Sequence, residues 1–402
     1  MTTVKEKLNK KVILQAIGIL CISFLLMGAS AVTASLQLIG KMFPDIPYSS
    51  ITLIETSPAL ASIPFCILSG LMAGKKVSFR KLAIIGMAGF SIFGAVPFFL
   101  TNFTALLICR LLLGACMGIL FPLSNALMIL SLPQKIVSTM VGLNLVIQNI
   151  GILVLQNVAG ALVKISTPYI WLCYLICFIP FIIMILFLKN PATAAVAPSE
   201  GSTVKTKMPG IVWPLGILLL LFCMFFMVSS SGLSQIVIDD GIGTVDDVTL
   251  IFNVNIIVSL ILGLVFGVIY MFTKKLTVYI GFALSIIGMG ILGFGFSIPV
   301  LIICSILLAI GYVLCYSSFV MEINASVPQE AIAKGTAVLA SLANLGVAFS
   351  STWYKLVQDF FQIPSMRIVM YISAGGLILT GIIHLILQKT LNRAIEKNSA
   401  RN

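Results

Sequence analysis

The sequence predicts an all-α membrane protein of twelve transmembrane helices, arranged as two parallel six-helix repeats. Three observations carry that expectation. The chain of 402 residues is 60% hydrophobic and only 9% charged, and its mean hydropathy is strongly positive. No aqueous core of this size uses so much apolar surface, so the solvent must be lipid. Apolar runs long enough to cross a ~30 Å hydrocarbon layer recur along the whole length, and the basic residues gather in alternate loops.

Twelve runs are read, at roughly 12–36, 49–73, 82–101, 104–131, 138–163, 168–189, 211–236, 248–273, 277–296, 298–325, 332–357 and 366–388. Each is expected to be helical, because a backbone in lipid must satisfy its hydrogen bonds internally. The first run is too long and too poorly flanked for a cleaved signal peptide and is read as the first helix.

Charge sets the expected orientation. With both termini inside, 19 Lys and Arg fall on the cytoplasmic side and four outside (Lys41, Lys164, Lys355 and Arg367), while Arg110 lies within a span. That asymmetry predicts a multi-pass protein of a bacterial-type plasma membrane with both termini cytoplasmic. The net charge of +12 then reflects topology beside anionic headgroups, and no nucleic-acid partner is needed to explain it. The acidic stretch from Asp239 to Asp247 is expected as a solvated external loop. All nine cysteines lie in apolar spans without a Cys-x-x-Cys pair, which reads as small buried hydrophobes rather than disulfides or metal ligands.

Residues 191–210 have the composition of a flexible linker, so the expected organisation is a six-helix bundle over 1–190, a cytoplasmic linker over 191–210 and a second bundle over 211–402. Shifting the chain on itself by 195 residues aligns Cys109–Lys135 with Cys304–Glu330 at 6 of 27 identical positions. The shared Ser-x-Pro-Gln at the ends of helices 4 and 10 is the persuasive part. Two parallel halves imply a solute site near the midplane and a rocking motion about it.

Arg110 carries the most chemistry. It sits in an otherwise uncharged stretch, Leu106-Leu-Ile-Cys-Arg110-Leu-Leu-Leu-Gly114, where a guanidinium costs between ~3 and ~10 kcal/mol unless water, lipid deformation or a partner relieves it. The 6+6 layout, the mid-chain linker, the basic loop Gly70-Leu-Met-Ala-Gly-Lys-Lys-Val-Ser-Phe-Arg-Lys and this Arg110 motif resemble the major facilitator superfamily across the whole chain. The motif is similar to the helix-4 motif commonest in the drug–proton antiporters of that superfamily, and the resemblance implies a role for Arg110 in proton coupling or substrate contact. Two departures stand out. Gly74 occupies the place where the 2–3 loop motif usually has Asp, and helix 5 lacks the Gly-Pro motif typical of those antiporters.

Glu55 is the other deep charge of the first half. By helical rise it lies ~9–10 Å below the outer end of helix 2, the same depth as Arg110 in helix 4, so an ion pair between them is open. Helical spacing puts Met117 and Phe121 on the stripe of Arg110, and the repeat-matched stripe on helix 10 holds Ser305, Tyr312 and Tyr316. A site of one cation, aromatic rings and a thioether suits an amphipathic organic solute better than a sugar. Asn144 and Gln148 on helix 5 and Asn344 on helix 11 complete the candidate set, either touching solute or bonding across helices. Ser229, Ser230, Ser231 and Gln235 are read as gate or solute contacts. Glu322 is read as a carboxylate at the water interface, with a proton site as the alternative, and His384 as structural.

The expected function is secondary transport by alternating access in a monomer, with a small organic solute and protons as partners. Proton-coupled export of an amphipathic compound leads; uptake or exchange of an organic anion anchored by Arg110, and a lipid translocase or non-transporting sensor on the same fold, are the alternatives. No cofactor, metal site or catalytic constellation is expected, and no phosphate-cradling loop supports ATP-driven pumping.

Overall fold

The computed structural model describes residues 10–74, 76–190, 210–327, 332–361 and 365–399. Their elements are helices. Eleven are long and apolar enough to span a bilayer: α1 Lys11–Lys41, α2 Tyr48–Met72, α3 Phe79–Phe99, α4 Phe103–Ser131, α5 Gln134–Val163, α6 Thr167–Phe187, α7 Val212–Asp239, α8 Val245–Thr273, α9 Leu276–Phe294, α10 Ile298–Ser326 and α12 Met366–Ser399. The twelfth expected run is the 30-residue helix α11, Ile332–Phe361. The linker reading at 191–210 falls almost wholly outside the described residues.

Polar side chains start several of these helices by satisfying the first free N–H groups. Asn102 accepts from the Thr104 and Ala105 amides ahead of α4, and Ser78 accepts from Lys81 ahead of α3. Thr244 and Asp247 form a reciprocal capping box on α8. Three spans depart from plain α-helix: α1 tightens into a 3-10 stretch at Gly28–Ser35, α3 ends in a 3-10 turn at Val96–Phe99, and the first half of α6, Thr167–Cys177, is 3-10 throughout. A switch from i−4 to i−3 bonding frees a carbonyl for an outside donor, which matters below.

The chain packs as two compact units, one of residues 1–31 and 61–202, the other of residues 32–60 and 203–402. Inside the first, α1 lies against α4, α5 and α6, and α3 lies against α4 and α6. Inside the second, α7 lies against α10, α11 and α12, and α9 lies against α10 and α12. The pairings are the same six helices apart.

The repeat reaches single atoms. A Cβ on Gly151 of α5 would meet the Phe24 carbonyl of α1, and one on Gly346 of α11 would meet the Leu220 carbonyl of α7. Gly86 packs on Cys116 and Leu120, and Gly281 on Gly311 and Cys315. The steps from 151 to 346, 86 to 281, 116 to 311 and 120 to 315 are each 195 residues, the offset at which the two sequence halves align.

Residues 32–60, the last part of α1 and the start of α2, join the second unit through polar contacts. The Gln37 amide donates to both Asp239 oxygens at 2.7 Å, and Ser234 donates to the Ala34 carbonyl at 3.0 Å. The Tyr48 hydroxyl donates to the Ser231 carbonyl at 2.8 Å. Tyr48 also meets the Tyr354 ring edge-on, with 6.3 Å between centroids.

The acidic stretch expected as a solvated loop is exposed at Asp239, Asp240 and Asp246, and three of its carboxylates also have protein partners. Asp239 takes Gln37, Asp247 caps α8, and Asp240 holds Arg367 at 2.7 Å. Arg367 also donates to the Gly293 and Gly295 carbonyls and lies over the Phe296 ring, joining the start of α12 to the α9–α10 turn. Asp247 sits at a helix N-terminus, where free N–H groups draw it in, whereas Asp239 and Asp240 end α7 and are held by the Gln37 amide and the Arg367 guanidinium.

Candidate functional site

In the first unit the candidate site is built around Arg110. It is fully buried, with Trp171 and Tyr174 among the largest buried side chains beside it. Nη1 donates to the Tyr174 hydroxyl at 3.0 Å, and Nη2 donates to the Ala29 carbonyl. Tyr174 in turn donates to the Gly28 carbonyl at 3.0 Å. Both acceptors lie in the 3-10 stretch of α1, so local backbone geometry supplies oxygens that a regular helix would use internally. The guanidinium stands 5.9 Å from the Trp171 ring centroid and 6.0 Å from that of Tyr174, a range in which the ring faces attract it. Nothing in the spacing of the sequence marked Tyr174 or Trp171. Two aromatics in an apolar run read as packing until the fold brings them to the cation.

Met117 is buried on the Arg110 stripe and Phe121 is half-buried. Asn144 and Gln148 are both buried. Asn144 Oδ1 accepts a long bond from Ser124 at 3.5 Å, and Ser124 shares a 3.0 Å bond with Ser23, so α5, α4 and α1 are joined by one polar thread. Asn149 and Asn157 bond carbonyls of their own helix. The amides of α5 therefore divide into an inward row and a row facing elsewhere.

In the second unit Glu55 Oε1 accepts from Ser230 at 2.8 Å. One residue on, Thr56 and Ser351 share a 2.7 Å bond. Glu55 thus belongs to the unit that α7 and α11 build, and Arg110 to the other. Of the α7 residues read as gate or solute contacts, Ser230 meets Glu55, the Ser231 carbonyl meets Tyr48, and Gln235 accepts from Tyr354 at 3.1 Å.

The α10 stripe forms an aromatic stack. Tyr312 lies 5.7 Å from Tyr316, 5.2 Å from Phe226 and 6.2 Å from Phe222. Phe222 and Phe226 are one helical turn apart on α7 and stack at 5.4 Å, so two helices contribute alternate rings. Ser305, the repeat counterpart of Arg110, donates to the Ile251 carbonyl of α8 at 3.2 Å, and its own carbonyl accepts from Asn255 at 3.1 Å. Asn344 is half-buried on α11.

Two readings of the sequence are corrected here. Glu322 does not lie at a water interface: it is buried, and its Oε2 stands 3.0 Å from Nε2 of His384, itself fully buried. His384 accordingly is one half of an ionisable pair. The partners are 62 residues apart on α10 and α12, a distance that no periodicity in either helix can bridge.

A two-unit helical membrane protein, with a buried arginine in one unit and a buried carboxylate among polar helix contacts in the other, has the build of a solute carrier. The chain belongs to the Major Facilitator Superfamily, whose family model matches residues 13–351, and it is therefore a multi-pass membrane transporter rather than an enzyme. Among solved structures it is similar to the nucleoside transporter NupG, with TM-score 0.74 and 14% identity over 95% of this chain and 100% of that one. It is similar also to the POT family transporter PepTSo, with TM-score 0.76 and 12% identity over 96% and 99%. A D-xylose–proton symporter gives TM-score 0.72 and 16% identity over 92% and 96%. At these identities the likeness is one of fold. No curated protein matches the sequence.

Proposed function

We propose that the protein is a proton-coupled secondary transporter that exports a small amphipathic organic solute across the plasma membrane by alternating access, with both termini cytoplasmic. The observation that carries this reading is the four-ring stack of Phe222, Phe226, Tyr312 and Tyr316. Phe222 and Phe226 are buried behind Tyr312 and Tyr316, whose partly exposed rings and phenols match an amphipathic compound better than a polyol. The helix-4 motif around Arg110 supports export, and the basic loops support the orientation.

Glu55 is assigned the coupling proton in this reading. As a carboxylate it holds Ser230; once protonated it loses the charge that makes this bond strong. A second reading, uptake or exchange of an organic anion, draws on Arg110, whose guanidinium is pre-oriented by Tyr174 and Ala29.

The test is flux into proteoliposomes under an imposed proton gradient, preceded by a thermal-shift screen of organic anions and amphipathic cations. Gradient-driven movement of a cation, lost in Glu55→Gln, supports export. Carboxylate binding that disappears in Arg110→Ala supports the anion reading instead. If Arg110→Ala and Glu55→Gln both leave transport and its pH dependence unchanged, the coupling assignment is wrong and both residues are scaffold.

A further inference from the structure

The Glu322–His384 pair is part of a longer hydrogen-bond chain. His384 Nε2 lies 3.0 Å from Glu322 Oε2, and its Nδ1 lies 3.3 Å from the Tyr279 hydroxyl. Tyr279 in turn donates to Gln388 Oε1 at 2.9 Å. Three helices contribute: Tyr279 from α9, Glu322 from α10, His384 and Gln388 from α12. The imidazole is fully buried, with the Phe319, Tyr279 and Phe282 rings 5.3 to 6.3 Å from it.

Counting hydrogens decides what this chain can do. A phenol has one hydrogen, and Tyr279 has given it to Gln388. The contact at Nδ1 is then satisfied only if the imidazole donates there. Nε2 faces Glu322 with a single proton between nitrogen and oxygen, so the pair is either imidazolium and carboxylate or imidazole and carboxylic acid. Remove that proton and a nitrogen lone pair points at a carboxylate in a buried site, which is repulsive. The arrangement that relieves it reverses the chain. The Gln388 amide turns to donate to Tyr279, Tyr279 donates to Nδ1, and the imidazole moves its remaining hydrogen to Nε2 to donate to Glu322. Atoms and charge balance: one proton leaves the cluster, and its charge falls by one.

We propose that Glu322, His384, Tyr279 and Gln388 form a proton-binding site of the second unit, distinct from Glu55, whose occupancy sets the direction of the hydrogen bonds joining α9, α10 and α12. It lies at the end of the unit that carries the Lys274–Lys275 turn. Other ionisable groups around it are known. Tyr270 of α8 and Cys315 of α10 are within electrostatic reach of Glu322, and Cys223 of α7 is within reach of Cys315. Lys275 at the start of α9 gives its ammonium to Asn392 of α12 at 2.7 Å. A packing histidine keeps one neutral tautomer whatever the pH; here the Glu322 and Tyr279 contacts call for different ring hydrogens in the two arrangements.

His384 is the only histidine in the chain, so a nitrogen-15 histidine label in the full-length protein, purified on a histidine-free tag in lipid nanodiscs, reports this ring alone. Between about pH 5 and pH 9 the two ring nitrogens should change together, from a ring that carries hydrogen at Nδ1 to a neutral tautomer that carries it at Nε2 alone. Glu322→Gln should move the midpoint of that change. Tyr279→Phe should keep the step and change the tautomer reached at high pH, because Nδ1 loses its phenol. A ring that holds one neutral tautomer across the range overturns the proposal, as does a Glu322→Gln protein that titrates like the parent. Should Glu322→Gln fail to accumulate, the parent and Tyr279→Phe spectra decide the matter without it.

Discussion

Tyr174 shows how a residue without a motif can govern one that has it. Its hydroxyl accepts from Arg110 and donates to the Gly28 carbonyl, so Tyr174→Phe removes both bonds without changing the ring. A buried donor left short of an acceptor costs about 1–3 kcal/mol. Thermal unfolding should therefore move down, and in the Arg110→Ala background the same change should cost less, because only the Gly28 bond is left to lose. Gly74 is the second informative residue. Its φ of +74° lies in the left-handed region, and a Cβ there would come within 2.7 Å of the Phe79 ring. The aspartate usual in the superfamily at this place would be strained by about 1–2 kcal/mol in this backbone, so Gly74→Asp should lower the melting temperature rather than restore a loop gate. From the sequence Arg110 and Gly74 both stood out. The reason each is tolerated, a 3-10 carbonyl pair for one and a left-handed turn for the other, needed the fold.

At the scale of elements, the helices were largely legible because their signal is local. Twenty apolar residues in lipid have one way to satisfy their backbone. The pattern was less informative where a span is not α-helical: the 3-10 stretches at Gly28–Ser35 and Thr167–Cys177 leave no mark in hydropathy. Side-chain pairs between helices were also hidden, as Glu322 with His384 and Glu55 with Ser230 demonstrate, since helical spacing gives a face and not its neighbour. The glycine crossings make an element-level prediction. Gly151→Leu should drive α5 off the Phe24 carbonyl of α1, and Gly346→Leu should drive α11 off the Leu220 carbonyl of α7. Overpacking of this kind costs about 1–3 kcal/mol, and differential scanning should show both variants less stable than Gly263→Leu, where a Cβ meets open space.

For the whole molecule, the weak 195-residue alignment of the sequence reappears as matched helix pairings and matched glycine contacts, because packing constraints outlast side-chain identity. Charge is what predicts orientation. A cysteine placed at Gly241 in the α7–α8 loop should react with an impermeant maleimide added outside intact cells, and one placed at Gly74 should react only after the membrane is opened; the reverse pattern would invert the topology.

The allegiance of residues 32–60 also bears on how the protein can be divided. A gene cut in the region of residue 200 would give a second fragment with no Gln37 for Asp239, no Tyr48 for the Ser231 carbonyl, no Glu55 for Ser230 and no Thr56 for Ser351. The first fragment would carry an orphaned hairpin whose natural surroundings lie on the other polypeptide. Each piece is thus an incomplete folding unit, and the two complete each other. Co-expressed, they should assemble and co-purify without a covalent link; expressed singly, each should be a substrate for membrane proteases.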